Sequence, residues 1–85
     1  MKKVVLITGI SSGFGKQTAT LLAASGHIVY GTVRKNPEII SQVNTMILDL
    51  TNTDSLKNVV QTIIQKEGRI DVLINNAGMH TGGPI

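Results

Sequence analysis

Three glycines, Gly9, Gly13 and Gly15, follow an apolar run in the stretch LITGISSGFGK, with Ser11 and Ser12 between them. Residues of these types at this spacing could do three kinds of chemistry. A mononucleotide P-loop needs G-x-x-x-x-G-K-[ST], whose backbone amides and lysine cradle phosphates. Gly15-Lys16 suits its end, but Ile10 stands where the leading glycine belongs and Gln17 where the magnesium-binding hydroxyl belongs. A serine nucleophile elbow, G-x-S-x-G, fits Gly9 to Gly13, with Asp49 or Asp71 and then His80 in the order Ser…Asp…His. The elbow leaves Gly15 unexplained, and following the first strand it has no earlier loop to supply a second oxyanion donor. A dinucleotide turn explains the most residues. Gly9 permits a sharp turn, Gly13 lets the backbone approach a pyrophosphate, and Gly15 lets the following helix pack closely on its strand. The free N–H groups at the start of that helix would receive the phosphate charge. The spacing G-x-x-x-G-x-G departs from the usual G-x-G-x-x-G, and a structural turn without a ligand could use the same three glycines.

The elements that must position these residues follow from the periodicity. Val4 to Ile7 is a short β-branched run without alternation, which predicts a strand covered on both faces. Ala19, Leu22 and Ala23 at helical spacing predict a helix from about Gly13 to Ser25, closed by Gly26. His27 to Val33 reads as a second strand, Pro37 as the start of a short helix through Gln42, and Met46 to Leu50 as a third strand. Thr53 is placed as the N-cap of an amphipathic helix carrying Leu56, Val59, Val60, Ile63 and Ile64, with Gly68 closing it. Val72 to Ile74 is a fourth buried strand. The alternation β-α-β-α-β-α-β predicts an α/β fold with a doubly wound parallel sheet. Right-handed crossovers give strand order 3-2-1-4, with the last helix on the face opposite the earlier ones. Two glycine-containing loops, after the first and fourth strands, then open on one crevice at the carboxyl ends, where such sheets bind ligands.

Composition narrows the classes. Eighty-five residues make one small domain. There is no cysteine, so neither a disulfide framework nor a thiolate metal site is possible, and the two histidines show no ligand spacing, so no metal site is assigned. The net charge of +3 comes from scattered basic residues, and one Tyr and one Phe make no stacking platform for nucleic acid. No apolar run approaches the ~18 residues of a membrane span, nor does the N-terminus carry a signal-peptide core. A soluble, cytoplasmic chain is expected.

Thr8-Gly9-Ile10-Ser11-Ser12-Gly13-Phe14-Gly15 resembles the T-G-x-x-x-G-[hydrophobe]-G turn of the short-chain dehydrogenase/reductase family. Asn75-Asn76-Ala77-Gly78 is similar to that family's N-N-A-G motif at the end of the fourth strand, and Asp49-Leu50 to its D-[LV] pair after the third. The resemblance implies a Rossmann-like sheet and a role for each matching residue. Gly9, Gly13, Phe14 through its backbone, and Gly15 would line the pyrophosphate. Ser11 and Ser12 would donate to the adenosine ribose and its phosphate. Asp49 would accept from the adenine amino group with Leu50 beside it, and Asn76, Ala77 and Gly78 would border the cofactor ribose. Thr8 and Asn75 would tie the two loops together. Structural readings stand beside these: Asp49 could cap the next turn, and the asparagines could make plain loop hydrogen bonds.

Cofactor choice follows from charge. In dinucleotide folds an acidic residue ending the second strand binds the ribose 2′-OH of NAD, and a nearby arginine instead receives the 2′-phosphate of NADP. Here Val33 stands at the acid's place, followed by Arg34 and Lys35, with no carboxylate before Glu38. Arg34 can grip phosphate with a bidentate fork, with Lys35 and Thr32 as helpers, which favours NADP over NAD.

The family transfers hydride between nicotinamide and a carbonyl or alcohol, using a tyrosine and a lysine four residues on. The only tyrosine here, Tyr30, precedes Arg34 by that spacing but lies on the second strand, and reads as a packing residue. No catalytic residue is therefore assigned. Residues 1–85 are expected to be the N-terminal part of a single NAD(P)-binding domain, ending before the catalytic segment and inactive alone. The parent would be a homo-oligomeric NADP-dependent oxidoreductase acting on a small-molecule carbonyl or alcohol. The alternative is a noncatalytic dinucleotide-binding module or remnant.

Overall fold

The apolar run that the sequence places first becomes β1, Val4–Thr8, buried along its whole length. The computed structural model describes residues 2–10, 13–35, 40–49 and 51–76. Within them α1 spans Gly13–Ala24, β2 Ile28–Val33, β3 Val43–Ile47, α2 Thr53–Glu67 and β4 Val72–Asn75. All strand pairs are parallel, and the sheet order is β3-β2-β1-β4, as expected. Val4 to Ile7 do not alternate in hydropathy because β1 is central and covered on both faces. Val5 and Ile7 enter a cluster with Ala19, Ala23, Val29 and Val33 beneath α1. Val4 and Leu6 join Tyr30, Val59 and Ile63 beneath α2 on the other face.

Small residues let α1 approach the sheet. Gly15, Ala19 and Ala23 are its buried residues, four apart on one stripe. The helix ends at Gly26, φ 95°, with His27 N–H donating to the Leu22 carbonyl at 3.1 Å. α2 is capped by Asn52, whose side chain accepts from Asp54 N–H at 3.0 Å, and closes at Gly68, φ 86°. Thr53 is thus the first helical residue and not the cap; both residues can cap, and the extended backbone of Asn52 decides it.

The third strand also departs from expectation. It runs Val43–Ile47, three residues earlier than Met46 to Leu50. Pairing sets the position: Val43 stands opposite Val29 and Ile47 opposite Val33. Leu48, though buried, lies beyond the last strand residue and donates its N–H to the Val33 carbonyl at 2.9 Å. Of the short helix expected from Pro37 to Gln42, residues 36–39 lie outside the described residues. Ile40 to Gln42 are not helical: Val43 N–H donates to the Ile40 carbonyl at 3.0 Å across a turn with Gln42 at φ 66°.

Candidate functional site

The turn after β1 is held from two sides. Gly9, at φ 75°, swings the chain off the strand. Its N–H donates to both the carbonyl and the hydroxyl oxygen of Thr32, each at 3.1 Å, and Ile10 N–H reaches the same carbonyl at 2.9 Å. From the other side Asn76 Nδ2 donates to the Gly9 carbonyl at 2.9 Å. Thr8 and Asn75 are register partners, and the Thr8 hydroxyl donates to Asn75 Oδ1 at 2.8 Å. The expected tie between the turn after β1 and the end of β4 is therefore present.

Gly15 sits where these parts converge. A Cβ placed on it would collide with the Gly9 carbonyl and stand 2.6 Å from Asn76 Nδ2. Gly13, at φ 65°, is different: a Cβ there would meet nothing within 4 Å, so its backbone faces open space at the start of α1. The first turn of α1 carries no acidic side chain, which leaves its unpaired N–H groups electropositive. Phe14 is 80% exposed and contributes no packing to the core. The donor chemistry and the space beside Gly13 fit a phosphate, and the gap at Gly15 explains why the turn can be so close to its helix.

Arg34 and Lys35 are both exposed just past the carboxyl end of β2. Val33 before them is buried in the core beneath α1. Thr32 does not join them as a phosphate helper. It is 1% exposed and its hydroxyl is engaged by Gly9 N–H, so its role is to anchor the turn. Asp49 lies two residues past β3, exposed, and its Oδ1 accepts from the Thr51 hydroxyl at 2.6 Å and the Thr51 N–H at 2.9 Å. These bonds, the hydroxyl's first, hold its carboxyl below the usual carboxylate range. Ser11, Ser12, Leu50, Ala77, Gly78 and His80 lie outside the described residues.

Asp71 cannot serve the hydrolase alternative. It precedes β4, at the end of the parallel sheet opposite to the glycine turn. There it accepts from Val4 N–H and from Arg69 Nε, both at 2.8 Å, and the backbone bond with the arginine beside it lowers its pKa. Tyr30 is the packing residue expected, 4% exposed beneath α2, with its hydroxyl donating to Glu67 Oε2 at 2.6 Å.

Sequence reasoning missed Ile10 and Thr51 and gave Thr32 a different role, as a phosphate helper. Ile10 occupies a variable place in the motif, yet it is fully buried, and a Cβ on Gly31 would collide with it. A β-branched residue inside a glycine turn was the available signal. The Thr32 and Thr51 contacts had none, because a hydroxyl's partner cannot be read from local spacing.

A sheet of order 3-2-1-4 with a glycine turn after β1 and two asparagines at the end of β4 has the arrangement at whose switch point parallel α/β sheets bind ligands. Residues 3–85 match the family model for short chain dehydrogenase, and the chain belongs to that family. It is similar to a 3-ketodihydrosphingosine reductase of Bacteroides thetaiotaomicron, 54% identical over 83 residues, covering 98% of this chain and 31% of that protein. The chain thus spans about a third of the length of that relative. Its fold is similar to the ligand-free aldohexose dehydrogenase of Thermoplasma acidophilum, with TM-score 0.83 and 33% identity over 99% of this chain and 32% of that one. It is also similar to an NADH-dependent reductase, A1-R′, complexed with NAD, with TM-score 0.80 and 30% identity over 92% and 37% of the two chains. No helix among the described residues is long and apolar enough to cross a membrane.

Proposed function

We propose that this chain is the cofactor-holding part, residues 1–85, of an NADP-dependent oxidoreductase domain. The observation that carries this is the cradle formed by Gly9, Gly13 and Gly15 and braced by Thr32 and Asn76, with Arg34 and Lys35 beside it and no carboxylate at the end of β2. Gly9, Gly13, Phe14 and Gly15 would receive the pyrophosphate on backbone N–H groups, with Ser11 and Ser12 donating to the adenosine ribose and its phosphate. Asp49, beside Leu50, would accept from the adenine amino group, and Asn76, Ala77 and Gly78 would border the second ribose. Arg34 would grip the 2′-phosphate.

The nicotinamide supplies hydride chemistry; this chain's residues bind and orient it. No tyrosine–lysine pair for proton transfer is assigned to these residues, so the 85 residues alone are inactive in this reading. The whole protein is a cytoplasmic homo-oligomer acting on a carbonyl or alcohol. The identity to the Bacteroides reductase makes the ketone of a long-chain sphingoid base the first substrate to try.

Substituting Arg34→Asp tests the cofactor assignment. NADPH affinity should fall by about tenfold or more while NADH affinity holds or rises, since a charge-assisted phosphate contact is replaced by like-charge repulsion. An unchanged NADPH/NADH preference would remove Arg34 from the site and leave the NADP reading without support.

A further inference from the structure

Asp49 is placed by the sheet and by α2 together. Leu48 N–H is held by the Val33 carbonyl at 2.9 Å, and Asp49 N–H donates to Ser55 Oγ in the first turn of α2, also at 2.9 Å. The backbone is therefore fixed, but an exposed carboxylate on a fixed backbone can still rotate and offer either oxygen. Thr51 removes that freedom. Its hydroxyl and its N–H both donate to Oδ1, at 2.6 and 2.9 Å, and so occupy both lone pairs of that oxygen. Among the described residues nothing donates to Oδ2.

We infer that Thr51 is a positioning residue that makes Asp49 a one-sided acceptor, so that the site selects a base carrying an exocyclic amino group. The inference rests on the reading of Asp49 as the adenine acceptor and adds the residue that enforces it. An ionised carboxylate can only accept. A 6-amino group donates to Oδ2, whereas the 6-oxo group of hypoxanthine turns a second acceptor towards it and leaves both unpaired. If the carboxylate could swing, it would avoid that clash, and discrimination between the two bases would weaken.

The test compares Kd values for NADPH and for its reduced hypoxanthine analogue, read from nicotinamide fluorescence; the chain has no tryptophan to interfere. The wild-type chain should favour the adenine form by about tenfold or more. Thr51→Val should lower that ratio by about fivefold while Thr51→Ser, which keeps the hydroxyl, retains it. Thr51→Ala guards against an effect of the valine side chain and should match Thr51→Val. Asp49→Asn should abolish or invert the ratio, because an amide can donate to the 6-oxo group. If Asp49→Asn changes the ratio and Thr51→Val and Thr51→Ala do not, the positioning role is overturned and the adenine reading stands. If Asp49→Asn leaves the ratio at its wild-type value, the adenine reading fails and the inference falls with it. Failure of the wild-type chain to bind either nucleotide would overturn the cofactor site as a whole.

Discussion

At Gly15 one methyl group separates a closed turn from a broken one. The Gly9 carbonyl and the Asn76 amide fill the place a Cβ would take, and the carbonyl is backbone that cannot turn aside. Gly15→Ala should therefore cost roughly 1–3 kcal/mol of stability, as overpacking does, and abolish nucleotide binding. Gly13→Ala meets no neighbour, so its cost is the left-handed backbone alone, roughly 1–2 kcal/mol. Chemical denaturation of the two variants beside a nucleotide titration checks both; equal behaviour of the two alanines would show that the contact at Gly15 does not matter. The importance of both glycines was legible in the sequence, because a glycine announces backbone freedom by its type. Thr32 was not legible in its real role. It looked like a phosphate ligand beside Arg34, and only the fold brings its hydroxyl to Gly9, 23 residues away in the chain.

At the scale of elements, hydropathy located what burial controls and misplaced what hydrogen bonding controls. The stripe Leu56, Val59, Val60, Ile63, Ile64 marked α2 correctly, and Val59 and Ile63 are its buried residues. Its start went to Thr53 because Asn52 and Thr53 offer similar side-chain acceptors, and only backbone conformation separates them. Asn52→Ala should lower stability by about 1 kcal/mol and Asn52→Asp should be near neutral, with Thr53→Ala milder than Asn52→Ala; thermal unfolding followed by circular dichroism reads all three. The third strand slipped for a related reason. Met46 to Leu50 is the more apolar segment, but β3 is an edge strand with no fully buried residue, so its pairing with β2 governs its extent.

The whole molecule carries its titration limits at opposite ends of the pH scale. Asp49 and Asp71 have lowered pKa values in the folded state, so the stability they contribute is present above the ordinary carboxylate range and is lost as pH falls through their folded values. Burial first, then the hydrogen bond and charge of Glu67, push the Tyr30 hydroxyl up to about 12. Its contribution is therefore complete below about pH 10 and is lost as pH rises towards 12. Ultraviolet titration of tyrosinate should show a midpoint near 12 in buffer and near 10 in denaturant; one midpoint near 10 in both would show that Tyr30 is not held beneath α2. Asp71→Asn should flatten the acid limb without moving the alkaline one. Both faces of the sheet were foreseeable from the order of elements, and the strand that completes the site is the last described. Thr8 meets Asn75, and Gly9 meets Asn76, across 67 residues of chain. During synthesis the glycine turn leaves the ribosome long before its braces do. The turn is therefore braced first from β2, through Thr32, and is held on its other side only once β4 has emerged and docked.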